Sequence, residues 1–148
     1  MKEILFRGKR IDNGEWVEGY FADMGNKACI IKSYEAYWDE SCKALRCHPS
    51  EIIPVDFSTV GQFIGLIDKN GKKIFEGDIL KNESDSAMPL RIVKFQNGSF
   101  TWQNYPLKNQ DYNEFSMYTL QYGETILHYW LKIGNIYDNP EMLKSKVD

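Results

Sequence analysis

Residues 90–104 read Leu-Arg-Ile-Val-Lys-Phe-Gln-Asn-Gly-Ser-Phe-Thr-Trp-Gln-Asn and carry the clearest signal for the fold. Apolar and polar residues alternate on both sides of Asn97-Gly98, which places Val93 and Phe95 on one face of a strand. Asn-Gly is the dipeptide most typical of a tight type I′ turn, because both central positions need a positive φ. The stretch therefore predicts an antiparallel hairpin of 90–96 with 99–104.

The same dipeptide recurs at Asn13-Gly14 and Asn70-Gly71, each between segments rich in aromatic and β-branched residues. It predicts two more hairpins with type I′ turns, 3–10 with 15–21 and 61–67 with 72–80. Residues 28–34 predict another short strand, while 36–50 are ambiguous and allow a helical turn before Pro49. We therefore expect a mainly β (α+β) protein with few short helices, built from hairpins into small SH3-like or barrel-type antiparallel sheets.

The C-terminal part gives weaker patterns. Residues 112–130 have no clean period, and we interpret them as a short helix followed by a strand over 131–137. Asn139-Pro140-Glu141 has the order of an N-cap, a first-turn proline and an acid near the positive end of a helix. This order predicts a short C-terminal helix over about 139–145.

Composition excludes several classes of protein. The chain has 148 residues, 43% of them hydrophobic, which is too apolar for global disorder. No apolar run approaches the roughly 18 residues of a membrane span. The net charge of −3 disfavours non-specific phosphate binding, although Lys69, Lys72, Lys73 and Lys81 lie close together in the sequence. The first residues turn charged again at Arg7, which does not fit a signal peptide, so we expect a cytoplasmic protein.

Three cysteines form an odd set, which favours reduced thiols in a reducing compartment. Cys42, Cys47 and His48, with Cys29 or His128 as a fourth ligand, resemble a metal site only loosely, because Cys-x4-Cys-His is not a usual zinc spacing. Cys–His nucleophile pairs lack an orienting acid, and the sequence contains neither a Gly-rich phosphate loop nor Gly-x-Ser-x-Gly. We predict no catalytic residues, no metal and no cofactor.

Two long motifs carry a family resemblance. Residues 59–79, Thr-Val-Gly-Gln-Phe-Ile-Gly-Leu-Ile-Asp-Lys-Asn-Gly-Lys-Lys-Ile-Phe-Glu-Gly-Asp-Ile, resemble the hallmark of the YopX family of phage and prophage proteins. Residues 133–141, Ile-Gly-Asn-Ile-Tyr-Asp-Asn-Pro-Glu, resemble its C-terminal signature, and the opening Lys2–Arg7 also fits. The likeness implies one domain over 1–148, with variable segments at about 22–50 and 80–130.

The resemblance implies no established enzymatic activity and no functional residues to carry over. It implies a protein of bacteriophages and of prophages in Gram-positive bacteria that self-associates, with trimers among the expected forms. We interpret the glycines and polar residues of the motifs as structural, placed at turns, at close backbone approaches and at the ends of strands. These motif residues are Gly61, Gln62, Gly65, Asn70, Gly71, Glu76, Gly77, Asp78, Gly134, Asn135, Asn139 and Pro140.

Aromatic residues make up 14% of the chain, which favours a surface that contacts another protein. The candidate interface residues lie in polar, turn-rich contexts: Tyr34, Tyr37, Trp38 and Tyr105, with Tyr112 and Tyr118 in similar positions. The first functional hypothesis is a non-enzymatic accessory protein that self-associates and binds an unknown protein.

The alternative is a small barrel that binds single-stranded nucleic acid, through Phe6 with Arg7 and Lys9, or through Tyr34 with Lys32. The acidic net charge makes this the less favoured hypothesis. An enzyme or a metal-dependent module is the third and least favoured.

Overall fold

The computed structural model describes residues 3–105 and 129–144. Within these ranges the chain forms one turn of 3-10 helix, Pro140–Leu143, and nine strands: β1 (Phe6–Arg10), β2 (Trp16–Asp23), β3 (Ala28–Asp39), β4 (Ala44–Ile67), β5 (Lys73–Phe75), β6 (Asp78–Asn82), β7 (Leu90–Gln96), β8 (Ser99–Tyr105) and β9 (Trp130–Asn135). All their pairings are antiparallel. The prediction of a mainly β protein with antiparallel sheets is confirmed, whereas closure into a barrel stays a prediction. None of the helical structure in the described ranges is long and apolar enough to cross a membrane.

The chain divides within β4 into two compact units, Met1–Gln62 and Phe63–Asp148. In the first unit the strands follow the order β1-β2-β3-β4, and β1 also pairs with β4. Its core is made of aliphatic side chains from β2, β3 and β4: Val17, Ala28, Ile30, Ile53 and Val55. The single domain predicted over 1–148 stays a prediction, and the two units are described separately.

The second unit contains the strand order β8-β7-β6-β9, and in it β5 pairs with the last residues of β4. Its core is made of six side chains, one from each of the six strands β4 to β9: Ile64, Ile74, Leu80, Val93, Trp102 and Trp130. Val93 lies directly opposite Trp102 in the β7–β8 hairpin. The apolar face predicted from alternation in residues 90–104 is a core face at Val93 and Trp102, whereas Phe95, nearer the turn, is 52% exposed.

The prediction of type I′ turns is correct at one of the three Asn-Gly dipeptides. At Asn97-Gly98 both residues have positive φ, 50° and 79°. At the other two turns the glycine has a positive φ and the asparagine does not. The physical reason is a competing side-chain bond: Asn13 Oδ1 accepts from the Glu15 amide, and Asp68 Oδ1 accepts from the Asn70 amide, which favours other turn geometries.

The second predicted hairpin, 61–67 with 72–80, is shorter than expected. β5 pairs with β4 at Phe63–Phe75 and Ile67–Lys73 and then ends, since the chain turns at Gly77 with φ of 81°. The residues that follow form β6, which pairs with β7 and β9 instead.

The prediction that residues 36–50 could contain a helical turn is wrong. The strand predicted over 28–34 continues to Asp39, and the chain returns as β4 after a turn at residues 40–43. Pro49 lies inside β4, opposite Tyr34. A proline is tolerated there because this part of β4 pairs only with β3 among the described strands and is therefore an edge strand.

The C-terminal elements are also shorter than predicted. β9 ends at Asn135 rather than at 137, and the helix over 139–145 is a single 3-10 turn. Asn139 makes no side-chain cap bond, because its Oδ1 accepts from the Asn135 amide at 3.2 Å. The helix predicted within 112–130 falls almost entirely outside the described residues.

Asn135 closes the end of β9 with its side chain. Its Oδ1 accepts from the amides of Tyr137 at 3.0 Å and Asp138 at 2.9 Å, and its Nδ2 donates to the Asp138 carboxylate. Asn135 is 7% exposed, so these groups have little access to water. The prediction that Asn135 satisfies backbone groups at a strand end is confirmed.

Replacing Asn135 tests how much its side chain contributes to stability. We expect Asn135→Ala to lower the free energy of unfolding by about 2 kcal/mol and Tm by roughly 5 °C, because the amides of Tyr137 and Asp138 lose the buried side chain that accepts from them. Thermal unfolding followed by circular dichroism measures the change, with Asn26→Ala at an exposed loop position as the control. An unchanged Tm for Asn135→Ala would contradict the structural role.

Candidate functional site

The outer part of the β3–β4 hairpin extends beyond the core of the first unit. We call residues 32–52 the hairpin arm. The side chains of Ala28 to Ile31 at the start of β3 are buried, whereas every described side chain of the arm is exposed except Asp39 and Ala44, which are half-buried. The arm is therefore a two-stranded ribbon with both faces open.

The two faces of the arm differ in chemistry. Residues directly opposite each other on antiparallel strands share a face, and faces alternate along each strand. One face carries three apolar pairs: Tyr34 with Pro49, Ala36 with Cys47, and Trp38 with Leu45. The other face carries three pairs that contain polar groups: Glu35 with His48, Tyr37 with Arg46, and Asp39 with Ala44.

The apolar face continues onto the base of the sheet. The Tyr20 ring lies 5.3 Å from the Tyr34 ring, and Tyr20 is in register with Ile31 and Ile52 across three strands. We call this surface the apolar stripe, and its residues are Tyr20, Tyr34, Ala36, Trp38, Leu45, Cys47, Pro49 and Ile52.

Large side chains of the apolar stripe are well exposed: Leu45 is 66%, Trp38 54% and Tyr34 43% exposed. An isolated two-stranded hairpin is marginally stable in water at best, and a contiguous apolar surface on one typically marks a contact site. The arrangement is suited to docking another surface, and it brings together no groups for chemistry.

The charges of the arm cancel within the arm. Lys32 pairs with Glu51 at 4.0 Å, Lys43 with Glu40 at 2.6 Å and Arg46 with Asp39 at 3.3 Å. Such exposed pairs contribute little to stability, but they cancel most of the local field. Glu35 is the one charged side chain of the arm outside these three pairs. With His48 neutral, the net charge of the arm is therefore about −1.

The tip of the arm is organised by Asp39. Its Oδ1 accepts from the amide of Ser41 at 2.9 Å and from the Ser41 hydroxyl, and its backbone carbonyl lies 3.9 Å from the Cys42 thiol. The hydrogen bond from the Ser41 side chain is the main reason that the pKa of Asp39 is lowered to about 2.

The predicted interface residues fall into separate groups. Tyr34 and Trp38 belong to the apolar stripe, whereas Tyr37 lies on the opposite face with its ring 6.0 Å from His48. Tyr105 is half-buried at the end of β8 in the second unit. Tyr112 and Tyr118 lie outside the described residues. The structure therefore brings together Tyr34 and Trp38 and adds Leu45 and Ile52, which sequence reasoning missed.

The motif residues of the second unit lie where the two signature motifs meet. β6 pairs with β9, which sets Asp78 opposite Asn135 and Ile79 opposite Gly134. A Cβ on Gly77 would lie 2.9 Å from the Tyr137 ring, and one on Gly134 would collide with the Asn139 side chain. These glycines allow close packing, as their structural interpretation predicts.

The other motif residues lie along the same part of the chain. In β4, Gly61 is opposite Arg7, Gln62 is half-buried opposite Phe6, and Gly65 has φ of 86°. Glu76 is half-buried beside the turn at Gly77, and Pro140 begins the 3-10 turn. These placements describe structural surroundings and assign no ligand.

Asp78 is fully buried and is held by a cation from β9. Its Oδ2 accepts from the Phe75 amide at 2.8 Å and from Lys132 Nζ at 2.9 Å. Lys132 also donates its backbone amide to Asp68 Oδ2 at 3.2 Å. Asp68 is 3% exposed, and this hydrogen bond links its turn to β9.

The residues expected to support nucleic-acid binding are placed unfavourably for that role. The Arg7 guanidinium lies 4.5 Å from the centre of the Trp16 ring, and Arg7 is 4% exposed. Lys32 and Lys69 are paired with Glu51 and Glu83.

The cysteine set does not converge. Cys29 is buried in β3, Cys42 lies in the turn at the tip, and Cys47 and His48 are neighbours on opposite faces of β4. Within the described ranges, the structure contains no group of three or more potential metal ligands.

Removing the Lys132 cation tests the buried pair. We expect Lys132→Met to lower the free energy of unfolding by about 3 kcal/mol, because the Asp78 carboxylate would stay buried without its cation. Chemical denaturation measures the loss, with Lys81→Met on the exposed side of β6 as the control. If both variants unfold at the same denaturant concentration, the pair does not hold β6 to β9.

The tip of the arm has its own pH dependence. Because the folded pKa of Asp39 lies below its ordinary 3.8, the ionised carboxylate stabilises the turn above about pH 4, and this contribution is lost as the pH falls towards 2. We expect Ser41→Ala to raise the pKa of Asp39 towards 3.8, measured by NMR titration of the carboxyl carbon. Ser58→Ala, which removes a similar bond to Asp56, is the control and leaves the Asp39 titration unchanged.

Comparisons with known proteins agree with the sequence motifs. A solved structure, the crystal structure of protein EF1440 from Enterococcus faecalis, is 24% identical and has a TM-score of 0.61, with 97% of this chain and 100% of that chain covered. This likeness shows a shared fold. A search of curated proteins finds no match. The family model described as YopX protein matches residues 5–144, nearly the whole chain. The chain therefore belongs to the YopX family.

Proposed function

We propose that this protein acts without catalysis, through self-association and through binding of another protein, and that the hairpin arm is its contact surface. The observation that carries the proposal is that the two faces of the arm differ. On one face, three consecutive cross-strand pairs are all apolar and exposed. Burying such a surface against a partner is favourable at about 25 cal/mol per Å².

The resemblance of the sequence motifs supports a proposal about the biological setting. YopX-like sequences resemble phage and prophage proteins, so we propose an accessory protein encoded by a phage or prophage that works in the cytoplasm of its bacterial host. Free thiols at Cys42 and Cys47 agree with a reducing compartment.

Charge supports a protein partner over a nucleic acid. A surface that holds a phosphate backbone needs unpaired cations, because affinity depends on releasing the counterions of the phosphates. The three cations of the arm each lie beside a carboxylate, and the arm as a whole is slightly negative. An apolar surface with cancelled charge fits a protein interface better.

Light scattering on the full chain tests the proposal. We expect a mass at least twice the 17.3 kDa of one chain, insensitive to salt between 50 and 500 mM and to a short single-stranded oligonucleotide. Trp38→Ser should shift the population towards monomer, because it removes an aromatic side chain from the apolar stripe.

Tyr37→Ser is the matched control. Tyr37 neighbours Trp38, is exposed to the same degree (53% against 54%) and lies on the opposite face of the arm. A stable monomer at all concentrations would contradict self-association. Oligonucleotide binding that weakens steeply with salt would instead favour the nucleic-acid alternative.

A further inference from the structure

We propose that Asn97-Gly98, at the tip of the β7–β8 hairpin, is a site of spontaneous deamidation, and that the fold protects the other two Asn-Gly dipeptides from the same reaction. This inference concerns a covalent modification and goes beyond the proposed binding function. It follows from a difference in backbone hydrogen bonding between three turns that contain the same dipeptide.

Deamidation of an asparagine begins at the backbone amide of the next residue. That nitrogen loses its proton and attacks the side-chain Cγ. A new N–Cγ bond closes a succinimide ring, and the Cγ–Nδ2 bond breaks to release ammonia, which carries the proton away. Water then opens the ring at either carbonyl, so that asparagine and water become aspartate or isoaspartate and ammonia. A following glycine favours ring closure because it has no Cβ to obstruct the attack.

At Asn13-Gly14 the attacking nitrogen is held by a hydrogen bond. The Gly14 amide donates to the Arg10 carbonyl at 3.0 Å. Asn13 Oδ1 accepts from the Glu15 amide at 2.9 Å, and its Nδ2 donates to the Glu15 carboxylate at 3.0 Å. The turn must open locally, and the side chain must leave both bonds, before the ring can close.

At Asn70-Gly71 the attacking nitrogen is held in the same way. The Gly71 amide donates to the Asp68 carbonyl at 2.9 Å. Asp68 Oδ1 accepts from the amides of Asn70 at 2.8 Å and Lys72 at 2.9 Å, on either side of Gly71. Asp68 is 3% exposed, so water competes little for these bonds, and opening of this turn is costly.

The type I′ turn at Asn97-Gly98 lacks the corresponding bond. Its strands are closed by Gln96 opposite Ser99, and Gly98 lies outside this pairing. Within the ranges that the structure describes, the Gly98 amide donates to no acceptor. Residues 95–98 are exposed, so the hydroxide that removes the amide proton has access from solvent. Deprotonation of this nitrogen therefore requires no hydrogen bond to break.

Steric access does not distinguish the three dipeptides. A Cβ on Gly14, Gly71 or Gly98 would meet no atom within 4 Å, and all three glycines have φ between 72° and 79°. The hydrogen bond of the glycine amide is the feature that separates the reactive turn from the protected ones.

The modification changes the tip of the hairpin and leaves its core contacts in place. The new carboxyl group is ionised at neutral pH and adds one negative charge to the net −3 of the chain. Isoaspartate also adds a methylene to the main chain within a turn of only two residues. Further from the tip, Val93 lies opposite Trp102 in the core of the second unit, which holds the remaining register.

Peptide mapping of the full chain tests the proposal. The folded protein, and the same protein unfolded in guanidinium chloride, are kept at mildly alkaline pH, and mass spectrometry follows conversion of each Asn-Gly dipeptide. The ratio of the unfolded to the folded rate gives the protection at each site and cancels the effect of neighbouring residues. We expect protection at Asn13 and at Asn70 to be at least about tenfold greater than at Asn97.

Hydrogen exchange measured by NMR tests the cause in the unmodified protein. Base-catalysed exchange and ring closure both pass through the deprotonated amide. We therefore expect the Gly98 N–H, after correction for local sequence, to exchange at least about tenfold faster than the N–H groups of Gly14 and Gly71. Asn97→Gln is the control for assignment, because closure of its larger ring is much slower and the mass change of the hairpin peptide should disappear.

The possible results either support the inference or overturn it. Low protection at Asn97 together with fast exchange at Gly98 supports it. Equal protection at the three dipeptides, or the highest protection at Asn97, overturns it. Low protection at Asn97 with slow exchange at Gly98 also overturns it, because the reactivity would then not come from the glycine amide.

Discussion

The cross-strand register of β3 and β4 is the constraint on which the candidate site depends. A strictly alternating β3 would put Ser33, Glu35 and Tyr37 on the side of Ile31. The register shifts on both sides of Ser33 change this alternation, and the Tyr34 ring then lies against Tyr20. A slip of one residue exchanges the two faces of a strand. These irregularities therefore decide that the face of the arm on the Tyr20 side is the apolar one.

The polar residues of the YopX motifs serve a different end. Asp78 accepts from the Phe75 amide and pairs with Lys132. Asn135 bonds to the turn after β9. Asp68 accepts from two amides of its own turn and from the Lys132 amide. Buried polar groups must be paired, and here the backbone supplies most of the partners. The buried polar residues of these motifs thus stabilise the turns and strand pairings of the second unit.

The sequence predicts the local hairpins well, since the register of β1–β2 and β7–β8 follows from a turn and from alternation on either side. It predicts the arm poorly because Pro49 allows a helical turn before it, and because Tyr37 obscures the alternation of β3. Lys132 carries no signal of its role, since its contact with Asp68 spans 64 positions and depends on the register of β6 and β9. Sequence patterns predict the individual strands and local hairpins. The contacts between distant strands depend on their register, which these patterns do not contain.

The sequence of the arm also disfavours the addition of further strands to its edge. An exposed strand edge invites other chains to add edge to edge, which produces open-ended ladders. In the β4 strand of the arm, Pro49 has no N–H to donate. Lys43 and Arg46 carry charges near the tip. Proline and charge of this kind discourage edge pairing, while the apolar stripe on the face stays open. The apolar surface of the arm is therefore available on a face of the ribbon rather than along its edge, which suits contact with a surface better than the addition of a further strand.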